Sequence, residues 1–443
     1  MFDNIVAIAS GNKINQAISI IRATGPDVFN IVQKFFKGKV GENNTVSHGW
    51  IYDKKILIDE VLVLWFKGSK NFIGEDTVEI NAHGGHVNTQ LILELFLVHG
   101  CRMANPGEFS QRAFLNGKMD LVKAEAINDL IHAQTKAQAI KSASKLQNKT
   151  SDLIHDLIAD IEFLIGHCET NIDYPEMDDI EELTITTFLP KINNLLQKLQ
   201  TIIKQSENAR NIFEGVKMAI VGQPNVGKSS LLNALLNEEK AIVTNISGTT
   251  RDVLEAAWQY NGILFKIQDT AGIRHSKDLV EQIGMEKTFT TIENSELIIH
   301  LIDPTIGENI YDQQISETSR NKKYFKVYNK KDLLSAADFR KNFVYISTKN
   351  NDLTAFEKLL DKTFISADLL DDNYVLSNQR QITLAKAAGV ALEDAKKALE
   401  NGFGPDVVIV DIRQAWESLY SIIGKPDNER LLDSMFSNFC LGK

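Results

Sequence analysis

The stretch Val216-Lys-Met-Ala-Ile-Val221-Gly222-Gln-Pro-Asn-Val-Gly227-Lys228-Ser229 decides how this chain is read. The apolar run up to Val221 has the length and composition of a buried strand. Gly222 to Ser229 then fits GxxxxGK[ST], placed between that strand and an amphipathic helix, which is the context the motif requires. Its glycines let backbone N–H groups curl around phosphate oxygens, and the helix N-terminus adds partial positive charge. Lys228 is placed to reach β- and γ-phosphates, and the Ser229 hydroxyl to bind Mg²⁺. Further strand-like runs follow at 264–268, 297–302, 324–328 and 343–346, with helical stretches between them. That rhythm predicts a doubly wound parallel sheet.

Which nucleotide sits there is read from Asn329-Lys330-Lys331-Asp332, directly after an apolar strand. A carboxylate at this place accepts from guanine N1–H and the 2-amino group. Adenine lacks both donors, so it would leave a buried acceptor unpaired. Ile346-Ser347-Thr348-Lys349 stands where a third base-side loop belongs. Asp269-Thr270-Ala271-Gly272 ends another apolar strand, with Asp269 suited to Mg²⁺ through water and the Gly272 N–H to the γ-phosphate. Thr249-Thr250-Arg251-Asp252 lies between this motif and the P-loop, where a threonine can close on Mg²⁺ only when the γ-phosphate is present. Four ordered motifs define a guanine-nucleotide domain. The residue after Gly272 is Ile273, which cannot orient an attacking water. Arg274 and Glu281 are the nearby polar candidates for that work.

Outward from this domain the chain changes character twice. Residues 1 to about 118 alternate short apolar runs with Gly, Pro and Asn, the pattern of strands and turns with a helix at 89–98. From Asp120 onward Leu121, Ala124, Ile127, Leu130 and Ile131 recur at helical spacing, as do Ile192, Leu195, Leu196, Leu199, Ile202 and Ile203. After about Asp371 helices return. The partition is therefore 1–118 (α/β), 119–212 (helical), 213–368 (nucleotide domain, inserted) and 369–443 (helical again).

The 443 residues carry a net charge of −10 and are 43% hydrophobic and 24% charged, which excludes wholesale disorder and argues against a non-specific nucleic-acid coat. Cys101, Cys168 and Cys440 form no CxxC pair, so neither a disulfide framework nor a structural zinc site is expected. His83-Gly-Gly-His86 lacks a third ligand nearby and reads as a turn, not a metal site. The N-terminus lacks a basic n-region, and the longest apolar run is too short to span a bilayer. A cytoplasmic protein is expected.

Together, GxPNxGKS, Gly248-Thr-Thr-Arg-Asp252, DTAG followed by an apolar residue and Arg, NKxD and the C-terminal Cys440-Leu-Gly-Lys443 resemble the MnmE (TrmE) family of tRNA-modification GTPases. Arg22-Ala-Thr-Gly-Pro26, Asn81-Ala-His-Gly-Gly85 and Asn116-Gly-Lys-Met-Asp-Leu-Val-Lys-Ala-Glu-Ala126 extend the resemblance over the whole chain. It implies a folate-binding, dimerising α/β domain, a helical domain built from two segments, and an inserted G domain. It implies a homodimer that acts with the flavoprotein MnmG, as a heterotetramer. The pair installs an aminomethyl or carboxymethylaminomethyl group on C5 of the wobble uridine of certain tRNAs. The one-carbon unit comes from 5-formyl- or 5,10-methylene-tetrahydrofolate.

Residue by residue, the resemblance implies GTP contacts at Asn225, Val226, Gly227, Lys228, Ser229 and Ser230. More come from the switch loop at Thr244, Asn245, Ile246, Ser247, Gly248, Thr249 and Thr250. The rest are Asp269, Thr270, Ala271 and Gly272, and on the base side Asn329, Lys330, Asp332 and Ser347. Ser229 and Thr250 would hold Mg²⁺; Asn225, Thr244, Ile246 and Thr249 would hold a K⁺ that supplies positive charge as two G domains meet. Glu281 would position water through a second water, Arg274 is a switch residue, and Cys440 is a candidate for the modification chemistry. Arg22, Glu79, Lys118 and Lys443 would bind folate, Glu79 accepting from the amino-pyrimidine ring. Two positions depart from the family pattern: Thr348, where Ala is commoner, and Leu441, where Ile is usual. The rival reading is a ribosome-assembly GTPase of the Era or Der kind, which performs no covalent modification.

Overall fold

In a computed structural model, the described residues are 3–10, 15–174, 185–237, 241–242, 256–268, 288–335, 339–341, 343–364, 376–424, 432, 435–437, 439–440 and 442. They group into two compact units, Met1–Asn128 with Ser151–Ala159 and Trp416–Lys443, and Asp129–Thr150 with Asp160–Ala415.

The first unit is built on β1 (Ile5–Ile8), β2 (Ile18–Thr24), α1 (Val28–Gln33), β3 (Phe36–Gly38), β4 (Thr45–Asp53), β5 (Ile56–Phe66), β6 (Thr77–His83), α2 (His86–Val98) and β7 (Arg102–Met103). The sheet order is β3-β4-β5-β6-β2-β1-β7, antiparallel except where β1 meets β7. The period-two pattern puts Ile21, Ala23, Val61, Val63, Trp65, Val78, Ile80 and Ala82 on one face, under α1 and α2. The helix expected at 89–98 starts three residues earlier, at His86 after Gly85. On the opposite face of the sheet Ile18, Val46, Trp50 and Leu62 are exposed at 61%, 62%, 41% and 45%. Next in the chain come α3 (Glu108–Leu115), α4 (Leu121–Ile131), α5 (Lys136–Lys145), α6 (Lys149–Asp173) and α7 (Ile185–Glu214), of which only the residues up to Asn128 and Ser151–Ala159 lie in the first unit. Within this unit Phe114, Leu121 and Ala124 bury against Leu432 and Phe436 near the C-terminus.

The second unit carries β8 (Val216–Val221), α8 (Lys228–Asn237), β9 (Ala241–Ile242), β10 (Ala256–Tyr260), β11 (Ile263–Ile267), β12 (Leu297–Ile302), α9 (Ile310–Thr318), β13 (Lys323–Tyr328), β14 (Val344–Tyr345) and α10 (Thr354–Phe364). Its sheet order is β14-β13-β12-β8-β11-β10-β9. From β14 to β11 all pairings are parallel, and both sheet faces are covered by apolar clusters. The expectation of a wholly parallel sheet needs correction at one edge, where β10 and β9 pair antiparallel. The cause is local. Asn261 and Gly262, at φ +45° and +86°, make the two-residue turn that joins β10 to β11 as a hairpin.

Two further helices among the described residues are α11 (Gln379–Glu400) and α12 (Pro405–Ile423). In α11 the buried Ile382, Ala385, Ala388, Leu392 and Ala395 form one stripe. A Cβ on its Gly389 would lie 3.4 Å from Leu199 Cδ2 of α7. Among the described residues no helix is long and apolar enough to cross a membrane.

Candidate functional site

β8 ends at Val221 and α8 begins at Lys228, so the intervening turn lies at the C-terminal end of the parallel strands, where this sheet type binds ligands. Close approach explains its glycines. A Cβ on Gly222, at φ +142°, would lie 2.2 Å from Leu301 O, and one on Gly227, at φ +102°, 2.2 Å from Asn329 Nδ2. Asn225 takes a left-handed conformation at φ +62°. Lys228 folds back over the turn, donating to Gly222 O at 2.7 Å and Gln223 O at 2.8 Å. Burial pulls its amine down to about 8, partly opposed by the charge of Asp312.

One buried side chain joins this cradle to the base side. Asn329, 1% exposed, donates through Nδ2 to Val226 O at 2.9 Å and to Thr348 Oγ1 at 3.1 Å, and its Oδ1 accepts from Thr348 N at 3.1 Å. Lys330, at φ +60°, holds the buried Asp303 at 2.5 Å. Ser347 Oγ donates to Asp332 Oδ1 at 2.6 Å, and that bond keeps the Asp332 carboxyl below its ordinary range. Backbone bonds in both directions between Ser347 and Asp352 shape the loop. Asn225, Val226, Gly227, Lys228, Asn329, Lys330, Asp332 and Ser347 are thus assembled around one site, with Ser229 and Ser230 in the first turn of α8. Thr348, read in sequence as part of the third base-side loop and as a departure from the family pattern, here braces Asn329 through both its backbone and its hydroxyl. Asp303 was not singled out; its position after an apolar strand was the available signal. Thr244 to Thr250, Asp269 to Gly272, Arg274, Glu281 and Lys443 lie outside the described residues.

In the first unit strand register brings Arg22 opposite Glu79, and Arg22 Nε donates to Glu79 Oε1 at 2.6 Å. Arg22 also donates through Nη1 to Gly442 O at 3.0 Å and stacks 5.8 Å from the Phe109 ring. The Cys440 carbonyl accepts from Gly107 N at 3.3 Å, and Cys440 is half-buried. Lys118 is exposed, its stem beside Gly74, and its amine makes no hydrogen bond or ion pair with a described residue. Asn81, two residues along β6 on the face that carries Glu79, has a buried Oδ1 with no partner among the described residues. His83 places Nδ1 2.6 Å from Asp59 Oδ1. No group of three or more His, Cys, Asp or Glu that could hold a metal occurs among the described residues.

A glycine-lined turn from strand to helix at the C-terminal edge of a parallel sheet, tied by an NKxD asparagine to the loop whose serine holds the NKxD carboxylate, defines a P-loop guanine-nucleotide protein. Family profiles narrow this: one described as the GTP-binding protein TrmE N-terminus matches residues 4–118, and one described as the MnmE helical domain matches 121–440. The tRNA modification GTPase MnmE of Mycoplasmopsis pulmonis is 56% identical over 443 residues, covering 100% of both chains. That of Mycoplasma mobile is 55% identical over 100% of both chains, and that of Lactococcus lactis subsp. cremoris 40% identical over 100% of this chain and 99% of its own. The chain belongs to the MnmE family of tRNA modification GTPases.

Proposed function

We propose that the chain binds and hydrolyses GTP at the P-loop site and couples hydrolysis to modification of tRNA. With MnmG it adds an aminomethyl or carboxymethylaminomethyl group to C5 of a wobble uridine, in the cytoplasm. The observation that carries the nucleotide half is Asn329, one buried amide that fixes both the phosphate turn and the base-side loop. The domains are those read above: 1–118, 119–212, 213–368 and 369–443.

Ser229, in the first turn of α8, fits a hydroxyl ligand for Mg²⁺, with Thr250 as its companion. Asn225, exposed on its left-handed turn, fits a K⁺ ligand, with Thr244, Ile246 and Thr249 completing the set. Such cations neutralise the charge that develops on the transferring phosphoryl group. Glu281 is assigned to water positioning, Arg274 to the switch and Cys440 to the modification chemistry. The unpartnered Asn81 Oδ1 beside Glu79 supports a ligand rich in N–H donors on that face, which a tetrahydrofolate pterin ring supplies. Arg22, Lys118 and Lys443 suit its glutamate tail. The exposed Ile18, Val46, Trp50 and Leu62 support a homodimer through this sheet.

The test is GTP turnover in K⁺ against Na⁺ at equal ionic strength. Stimulation by K⁺ that disappears in Asn225→Ala is expected. Equal rates in the two salts would remove the cation-completed site.

A further inference from the structure

Asp312 in α9 has no exposed surface, yet it carries a carboxylate. Capping explains part of this. Asn309 Oδ1 accepts from Asp312 N at 3.1 Å, and Asp312 Oδ2 accepts from Asn309 N at 3.0 Å. A capping box needs nothing more, but two further groups converge on the same carboxylate. His300 Nε2, from the middle of β12, lies 2.9 Å from Oδ1. Gln223 Nε2, from the P-loop, donates to Oδ2 and also to Gly307 O at 3.2 Å. Both Gln223 partners are acceptors, so its amide orientation is fixed. His300 is itself braced, with Tyr324 OH 2.6 Å from Nδ1 and Ser316 Oγ 2.8 Å beyond.

The far end of this chain of bonds matters for the phosphate turn. Gln223 is the residue whose carbonyl receives Lys228 Nζ, and the preceding Gly222 is pressed against Leu301 O. A tether on the Gln223 side chain therefore fixes the peptide that aims the Lys228 amine. We propose that Asp312, held by His300 and Asn309, is a positioning residue for nucleotide: through Gln223 it sets the phosphate turn and the direction of Lys228. The inference rests on the reading of this turn as the GTP site.

The experiment uses the full chain with Mg²⁺ and K⁺, and measures kcat and KM for GTP and the Kd of a fluorescent GDP. The variants are Gln223→Leu, Asp312→Ala and the pair combined. Removing a charge-assisted hydrogen bond that holds the turn for nucleotide predicts that each single variant raises KM and Kd about tenfold. The value of kcat should stay within about twofold, and the double variant should be no worse than the weaker single, because one bond is cut twice. Unchanged KM and Kd overturn the proposal. So does a fall in kcat at constant KM in folded Gln223→Leu protein, and so do additive effects in the pair. Gln223 is half-buried on a turn, so its variant tests the tether even where Asp312→Ala fails to fold. Parent protein that binds no GTP overturns the reading of the site itself.

Discussion

Asn329→Ala tests whether one amide holds the nucleotide site together. The change deletes three hydrogen bonds and leaves Val226 O and Thr348 N without their partner, in a place where Asn329 is 1% exposed. Orphaning a buried donor or acceptor costs about 1–3 kcal/mol each. In the free protein water can enter part of the gap. Bound nucleotide closes the site and demands the original spacing, so roughly half of that cost, about 1–3 kcal/mol, should appear as lost affinity. That corresponds to about a 5- to 150-fold rise in Kd. Because the amide braces the turn that holds every nucleotide alike, GDP and GTP should weaken together, and inosine nucleotides by the same factor. Asp332→Asn should behave differently: if Asp332 accepts from guanine N1–H and the 2-amino group, as proposed, guanine nucleotides should lose far more than xanthine ones. Competition titrations against a fluorescent GDP measure all of these constants. A Kd for Asn329→Ala within twofold of the parent, or a loss confined to guanine nucleotides, would refute the bracing role.

Further outcomes concern stability. Arg112, 2% exposed, donates to Asp3 Oδ1 at 2.8 Å, Glu108 Oε1 at 2.9 Å and Glu75 Oε2 at 3.2 Å. Arg112→Met should destabilise the first unit by about 1–3 kcal/mol, because Glu75 loses its cation while Asp3 and Glu108 keep Arg102; hydrogen exchange in α3 reports it, and adding Glu75→Gln should recover part of the loss. Burial holds His300 below its usual pKa, with Asp312 opposing. Its depressed value means that the unfolded chain binds the proton first as pH falls below about 6.5, so stability should drop from there until the folded pKa is reached, by at most about 1.4 kcal/mol per pH unit. His300→Gln should flatten that acid slope in exchange rates of β12. His83 shifts the other way, raised by Asp59, so its contribution is present below the unfolded pKa and is lost as pH rises through the folded one. His83→Gln should remove a slope of opposite sign, read in β6.

What the sequence displayed follows from range. The P-loop is contiguous, and its strand and helix sit beside it, so Val216–Val221 and Leu297–Ile302 were legible to the residue. The base-side loop was legible for the same reason. The hairpin of β10 and β11 carried a plain signal in Asn261-Gly262, but the alternating-strand rhythm around it suggested parallel crossovers only. The Gln223 tether gave no signal. Gln223 and Asp312 are 89 positions apart, and each is of a type that usually faces water. His300 would read as one polar interruption of an apolar strand. Only the fold brings the three together.

The C-terminus shows why a short motif can carry spatial information. Gly442 stands at φ +90°, and a Cβ there would come 2.7 Å from Ile8 O and 2.8 Å from Ala9 Cα. Any other residue would push the chain off the end of β1. The glycine is needed because its carbonyl must reach Arg22 at 3.0 Å, across 420 positions of sequence. Gly107 N meets the Cys440 carbonyl nearby, again at a left-handed glycine, φ +69°, where a Cβ would come 2.4 Å from Phe436 O. Gly107 and Gly442 thus let Cys440 approach the start of α3 and Gly442 the end of β1. The Arg22 guanidinium then has Nε on Glu79 and Nη1 on the tail, and its direction is fixed by both. A Gly442→Ala change should therefore act on Arg22, turning it away from the Glu79 face while leaving the sheet beneath intact.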